Sequence, residues 1–141
     1  MTVHILKLCV GIDSVDHLIE VRKGRQNLLP DGTPYNYHIT RFRPKRADEV
    51  LDGGSIYWVI KGFVQVRQAI IGLEKLETDT GVKCKIIMDT TLVRTESQPR
   101  RPHQGWRYLE PSDAPRDILD GQRTDNLPRH MSDKLREMGL I

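Results

Sequence analysis

A long run of strand-forming residues in the middle of the chain constrains the fold more than any other segment. Residues 55–76 read SIYWVIKGFVQVRQAIIGLEKL, and β-branched and aromatic side chains of this kind favour extended backbone. Gly62 divides the run, so we expect a bulge or a tight bend there. In the first half Ile56, Trp58 and Ile60 alternate onto one face. The run therefore predicts two successive strands, with Trp58 packed in the core.

The flanking segments predict further strands and short helices. Asp13 or Ser14 can cap a helix that carries an apolar stripe and ends at Gly24. Pro44 can begin a second helix, which ends at Gly53. More strands are predicted in residues 4–10, 37–42, 83–95 and 105–110. The pattern indicates an α+β fold: a small mixed, mainly antiparallel curled sheet, or an open β-barrel, with short helices at its ends.

The chain length sets the expected domain organisation. A chain of 141 residues can fill one core, and no linker divides it, so we expect a single domain over residues 1–141. Residues 95–104 are polar and proline-bearing, which predicts an exposed loop of proline and arginine. Residues 127–141 predict a helical C-terminal tail capped by Ser132.

Composition and cysteine usage indicate the cellular compartment of the protein. The formal net charge is +3 and charged residues make up 29% of the chain, which is a mild basic excess on an ordinary globular composition. Cys9 and Cys84 lie far apart in apolar segments, a pattern typical of buried, reduced thiols. The start of the chain does not form a secretory signal, and no apolar run reaches membrane-spanning length. We therefore expect a cytoplasmic protein without a membrane partner.

The basic residues are concentrated in two groups, each with aromatic neighbours. The first group is Arg41, Arg43, Lys45 and Arg46, and the second is Arg94, Arg100, Arg101, His103 and Arg107. Tyr57 and Trp106 lie near these groups and can stack on unpaired bases. If the fold brings both groups to one groove, its positive potential attracts RNA or single-stranded nucleic acid. The alternatives are solvated charged faces and, for the aromatic residues, core packing.

Arg67 lies in the middle of a predicted strand, in VQVRQAI. A covered arginine needs an acidic partner or a bound anion. Asp89, in the next predicted strand, is a plausible partner for a structural ion pair across neighbouring strands. An unpaired Arg67 in a cleft would instead contact phosphate, and the sequence leaves both possibilities open.

The sequence offers little for catalysis. His38, combined with Asp89 or Glu49, is the best acid–base set for a small hydrolase. The chain contains no nucleotide-binding glycine loop and no catalytic triad, and its five histidines are scattered. We therefore expect no metal and no cofactor, and the catalytic candidates remain weak.

Two long segments resemble a known family. HITRFRPKRADEVLDGGSIYWVIKGFVQVRQAIIGLE and QGWRYLEPSDAPRDI resemble a bacterial family catalogued as a domain of unknown function, number 1489. The likeness covers nearly the whole chain. That family carries no settled activity, so the resemblance implies none.

A looser resemblance links the chain to the PUA-like superfamily, which includes ASCH and EVE domains. In those domains a basic-Pro-Lys segment, a short helix and a glycine lead into a strand, and FRPKRADEVLDGGSIYWV is similar to that arrangement. The resemblance implies a small β-barrel that binds RNA or modified bases. Some ASCH members hydrolyse nucleic acid or acylated nucleosides, with a lysine and a glutamate after the glycine. Residues 55–58 here are Ser-Ile-Tyr-Trp, so the resemblance favours binding over hydrolysis.

Three hypotheses about function follow. The leading one is a binding module for RNA or a modified nucleotide, without catalysis or only weakly catalytic. The first alternative is a small hydrolase that acts on a nucleic-acid or nucleoside substrate. The second is a homodimeric interaction protein in which the aromatic strand pairs with a copy of itself.

Overall fold

The computed structural model describes residues 1–24, 27–101 and 103–118. Within them it contains the helices α1 (Val15–Lys23) and α2 (Ala47–Val50) and one 3₁₀ turn, Pro111–Asp113. The strands are β1 (His4–Leu8), β2 (Asn27–Leu28), β3 (Pro34–Thr40), β4 (Ser55–Ile60), β5 (Phe63–Thr78), β6 (Gly81–Asp89), β7 (Val93–Pro99) and β8 (Trp106–Leu109).

The strands form one curled, mixed sheet. Their order is β2-β3-β6-β5-β4-β1-β8, and β7 pairs with β5 off this path. β1 and β4 are parallel, and the other described pairs are antiparallel. β5 pairs through its first half with β4 and β7 and through its second half with β6, and its register shifts at bulges. Bulges bend a long strand and increase its twist, so β5 curls the sheet. This confirms the predicted α+β class.

The aromatic strand β4 lies inside the sheet. β1 pairs with one edge of β4 and β5 with the other, and the six residues of β4 are buried. Both rows of backbone hydrogen-bonding groups are therefore used within the chain. The expectation that this strand itself pairs with a copy is wrong for that reason, whereas formation of a homodimer stays a prediction.

Two apolar clusters pack on opposite faces of β4. The larger cluster contains Ile56, Trp58 and Ile60 together with side chains of α1, β1, β5 and β6. The smaller cluster contains Tyr57 and Val59, with neighbours on β1, β5 and β8. Trp58 is 2% exposed, so its prediction as a core residue is confirmed. Tyr57 is 5% exposed, which leaves it no surface on which a base can stack.

The helices begin and end close to the positions where their capping residues lie. Ser14 caps α1 by accepting a hydrogen bond from the backbone N–H of His17 at 3.0 Å. α2 starts at Ala47 rather than at Pro44, because Arg46 has a backbone conformation outside the helical region. Neither helix in the described part of the chain has the length and apolar character needed to span a membrane.

The first half of the segment predicted as an exposed loop over residues 95–104 belongs to a strand. β7 covers residues 93–99. The single strand predicted over residues 83–95 is therefore two strands, β6 and β7, separated by a turn. In that turn Asp89 Oδ1 accepts a hydrogen bond from the backbone N–H of Thr91 at 3.0 Å. On its other side β7 exchanges hydrogen bonds with residues 116–118. A strand near the edge of a sheet tolerates polar side chains, so its sequence resembles that of a loop. The predicted tail over residues 127–141 lies outside the described residues.

Candidate functional site

The first basic group follows β3 and remains largely exposed. Arg46 is its paired member: its guanidinium donates to Glu49 at 2.7 Å and to Glu110 at 2.8 Å. Arg41 lies over the ring of Phe42 at 5.5 Å. Arg43 and Lys45 are exposed, and no described carboxylate forms an ion pair with either. Three of the four predicted cations therefore present their charge to solvent.

The second basic group is more strongly engaged by the protein. Arg94 donates to Asp16 at 2.8 Å, and Arg100 donates to Gln98 Oε1 at 3.0 Å. Arg107 is exposed and donates to the carbonyl oxygen of Gln104 at 3.2 Å. Arg101 is exposed. This group thus supplies fewer available cations than the sequence predicts.

The structure does not bring Arg46 of the first group and Arg100 of the second together. The first group is held where β1 begins, since the backbone N–H of Arg46 donates to Tyr108 Oη at 3.0 Å and that of Val3 to the Glu49 carbonyl at 3.2 Å. The backbone N–H of Arg100 donates to the Gly62 carbonyl at 2.8 Å, just beyond the far end of β4. The six residues of β4 span roughly 17 Å. Arg46 and Arg100 therefore lie at opposite ends of β4, which separates these members of the two groups.

Trp106 is only partly available. Its ring contacts the ring of Tyr108, with centroids 4.9 Å apart, and it packs against the larger apolar cluster. The side chain is half-buried. Packing thus accounts for most of its surface.

Arg67 has a partner that differs from the predicted Asp89. Its Nε and Nη2 donate to the two carboxylate oxygens of Asp117, each at 2.7 Å, and its Nη1 donates to Ser55 Oγ at 2.9 Å. The pair lowers the pKa of the Asp117 carboxyl. It borders an open cleft of about 570 Å³ whose other walls include His4 and Pro115. Arg67 is thus neutralised within the protein rather than held ready for phosphate.

The proposed catalytic residues do not form a hydrogen-bonded set. His38 packs edge-on against the ring of Trp58 at 5.7 Å, and burial lowers the pKa of His38 to about 4. Asp89 is paired in register with Tyr35, three strand positions from His38, or roughly 10 Å. Glu49 is bound by Arg46. No group of metal-ligating side chains occurs among the described residues.

A chain of buried amides crosses the larger apolar cluster. Trp58 Nε1 donates to Gln68 Oε1 at 3.0 Å, and Gln68 Nε2 donates to Asn36 Oδ1 at 3.0 Å. Gln68 Nε2 also donates to the Asp89 carbonyl at 2.9 Å. An indole N–H can only donate, so it fixes the orientation of the Gln68 amide, which in turn fixes that of Asn36. Asn36 Nδ2 is left as a buried donor without a hydrogen-bond partner among the described residues.

Asn36 lines a cleft between α1, the start of β3 and the turn that follows β6. Its volume is about 270 Å³. We call it the α1–β3 cleft, and its walls are Ile19, Arg22, Lys23, Asn36, Thr90 and Leu92. Asn36 is 1% exposed. A buried polar group is normally hydrogen-bonded, so the unpartnered amide donor marks a position where a ligand atom can bind.

Arg22, which lines the cleft, and Lys7 both act on the neighbouring His38. The guanidinium of Arg22 lies 5.6 Å from the ring centroid of Trp58. Burial is the largest cause of the low pKa of His38, and Lys7 and Arg22 lower it further. Burial also lowers the pKa of Lys7, and no described carboxylate pairs with Lys7. At the rim, the ammonium of Lys23 lies 3.4 Å from the carboxylate of Glu20.

Sequence reasoning missed these residues, although the pattern contains a signal for them. Lys7 alternates in phase with the buried Val3 and Ile5 of β1. Arg22 follows Leu18 at helical spacing, so it continues the apolar stripe of α1. A cation in phase with a buried face is directed towards the interior. Such in-phase polar residues are the signal that could have identified the cleft.

Comparison with known proteins gives one match. A family model described as "Protein of unknown function (DUF1489)" matches residues 5–141. No curated protein and no solved structure matches the chain. The looser resemblance to PUA-like domains therefore has no support from these comparisons.

Proposed function

We propose, for a chain that belongs to the DUF1489 family of proteins of unknown function, a role as a binding module for RNA or a modified nucleotide. In this proposal one base enters the α1–β3 cleft, and neighbouring cations contact the phosphates. The observation that carries the proposal is the unpartnered Nδ2 of Asn36, which is buried at the wall of this cleft.

The dimensions and walls of the cleft suit a single base. An engineered apolar cavity of about 150 Å³ takes up benzene, so a cleft of about 270 Å³ has room for one heterocyclic ring system. Ile19 and Leu92 provide apolar walls and are themselves packed against the larger apolar cluster. Apolar walls with a few fixed polar groups are typical of small-ligand sites.

Cations at two distances from Asn36 can contact phosphates. Lys23, whose side chain is about two-thirds exposed, lines the cleft itself. Arg41, Arg43 and Lys45 follow the end of β3, and Arg41 is five residues from Asn36, roughly 17 Å along an extended chain. A single strand of a few nucleotides can therefore reach both sets, whereas the second basic group plays no part in this path.

Fluorescence anisotropy with a short labelled single-stranded RNA tests the proposal. We expect binding at low salt that weakens as salt rises, because phosphate contacts release condensed counterions. Absence of binding at low salt would refute the proposal.

Two matched lysine variants show whether binding occurs at the cleft. Lys23 lies 3.4 Å from Glu20 and Lys75 lies 3.9 Å from Glu77, and both lysine side chains are about two-thirds exposed. Only Lys23 lines the cleft. We expect Lys23→Gln to weaken RNA binding and Lys75→Gln to leave it unchanged, although each variant removes one positive charge. If the two variants weakened RNA binding equally, RNA would not bind at the α1–β3 cleft.

A further inference from the structure

We infer that the α1–β3 cleft selects bases that present to Asn36 a carbonyl oxygen at the exocyclic position opposite the glycosidic bond, O4 of uracil or O6 of guanine, over cytosine and adenine, which carry an amine there. This inference rests on the proposed function and specifies the ligand of the same site. It depends on the orientation of one buried amide, which the structure fixes through three side chains.

The orientation starts at Trp58, whose indole nitrogen has a hydrogen and no acceptor lone pair. Gln68 must therefore turn its Oε1 towards the indole, at 3.0 Å. Its Nε2 then has two acceptors, the Asp89 carbonyl at 2.9 Å and Asn36 Oδ1 at 3.0 Å. A reversed Asn36 would set two N–H groups against each other. The chain of contacts thus leaves Nδ2, the donor, as the unpartnered atom of Asn36.

An amide that offers a ligand only its N–H donor recognises bases differently from an amide that offers both its donor and its acceptor. An asparagine that recognises adenine commonly uses both amide atoms, with its oxygen accepting from the N6 amine and its nitrogen donating to N7. In this protein Asn36 Oδ1 already accepts from Gln68. Asn36 therefore offers a donor and no equivalent acceptor.

The chemistry of the bases then determines the preference. A base that enters the cleft with its ribose at the rim leads with the edge opposite the glycosidic bond. On that edge uracil carries O4 and guanine O6, which are carbonyl acceptors, whereas cytosine carries N4 and adenine N6, which are amine donors. An amine placed against Asn36 Nδ2 would leave two donors facing each other in a buried site. An amine that is desolvated there gains no acceptor in return, so we expect a carbonyl base to bind about tenfold more tightly.

Equilibrium binding of the wild-type protein to a set of single-base RNAs tests the inference. Each RNA has the same number of phosphates, one central base that is U, C, G or A, and abasic sites at the other positions. The contribution of phosphate contacts to the binding free energy is then the same for all four RNAs. We expect U to bind about tenfold more tightly than C, and G about tenfold more tightly than A. Equal affinities within both pairs would overturn the inference and leave the proposed function intact, whereas no binding to any RNA would refute the proposed function itself.

The Asn36→Leu variant tests whether Asn36 is the source of the preference. Leucine has a similar shape and removes the donor, so we expect the U:C affinity ratio to fall to about one, through weaker binding of U. Lys23→Gln is the control, because loss of a cation at the rim should weaken all four RNAs equally and preserve the ratio. A U:C ratio that persists in a folded Asn36→Leu protein would contradict the inference. If that variant does not fold, the wild-type comparison of U with C still decides the question.

Discussion

Arg67 and Asp117 form a two-pronged ion pair, with Nε and Nη2 of the arginine each 2.7 Å from a different carboxylate oxygen of the aspartate. The two residues are fifty positions apart in sequence. The pair connects β5 to the segment that follows the 3₁₀ turn. Ala114 of that segment packs against the smaller apolar cluster. Arg67 therefore has a structural role, and its positive charge is largely balanced.

Loss of this pair should destabilise the fold. Asp117→Asn removes the charge from a partly buried, hydrogen-bonded pair, and we expect the free energy of unfolding to fall by about 1–3 kcal/mol. Asp113→Asn in the same segment is the control, since its exposed side chain should change stability by less than about 0.5 kcal/mol. Urea denaturation measures both, and equal effects would contradict this role.

The same pair adds an acid-dependent contribution to stability. Arg67 lowers the pKa of Asp117 from 3.8 in the folded state. At pH values below the unfolded pKa of 3.8 the unfolded chain binds more protons at this position, so the contribution is present above that pH and is lost as pH falls through the folded pKa. Asp117→Asn should therefore remove part of the acid sensitivity of the wild-type protein, and an unchanged pH profile would contradict this.

His38 should make the fold sensitive to mild acid. Burial, assisted by Lys7 and Arg22, lowers the pKa of His38 from 6.5 to about 4. Between these two values the unfolded chain binds more protons at this position than the folded chain, so the free energy of unfolding decreases as pH falls from 6.5 towards 4. We expect His38→Gln to lose less stability than wild type between pH 7 and about pH 4.5 in urea titrations. Identical losses would show that His38 does not titrate in this way.

Gly54 should tolerate no side chain. A Cβ at this position would lie 2.5 Å from the Val3 carbonyl oxygen and would also overlap the Val50 carbonyl oxygen. Both neighbours are backbone atoms that cannot move independently, so we expect Gly54→Ala to cost about 2 kcal/mol or more. Gly24→Ala is the control, because its nearest atom would be 3.9 Å away. Thermal melting should separate the two variants clearly, and similar midpoints would show that the backbone around Gly54 can relax.

Part of this structure could be predicted from the sequence, and the reasons for the failures are specific. The sequence SIYWVI predicts Trp58 in the core, because successive side chains of a strand point to opposite faces and Trp58 shares its face with Ile56 and Ile60. Pro30, Gly32 and Pro34 predict a turn-rich loop over residues 26–36, whereas β3 begins at Pro34 and includes Asn36. Gln68 and Asp117 acquire their roles through contacts 32 and 50 residues distant. Sequence periodicity reports only local spacing, so it cannot reveal such partners.

The exposed cations after β3 should contribute to RNA affinity through phosphates. We expect the double variant Arg43→Gln/Lys45→Gln to bind RNA more weakly and to reduce the slope of log affinity against log salt by about 1.4, at about 0.7 for each phosphate contact. Lys75→Gln/Lys83→Gln, on the β5–β6 hairpin, removes the same charge and should leave the slope unchanged. Equal slopes in the two double variants would exclude this segment from the phosphate path.

The side-chain amide signal of Asn36 in a ¹H–¹⁵N spectrum tests the central claim most directly. Gln65 is the internal reference, because its Nε2 donates to the Ile60 carbonyl at 3.1 Å and lies outside the α1–β3 cleft. On titration with a short uridine-containing RNA, the Asn36 Nδ2 protons should shift saturably as they gain an acceptor, while the Gln65 signal stays in place. An Asn36 signal that does not move when the RNA is bound would contradict the assignment of this cleft as the base-binding site.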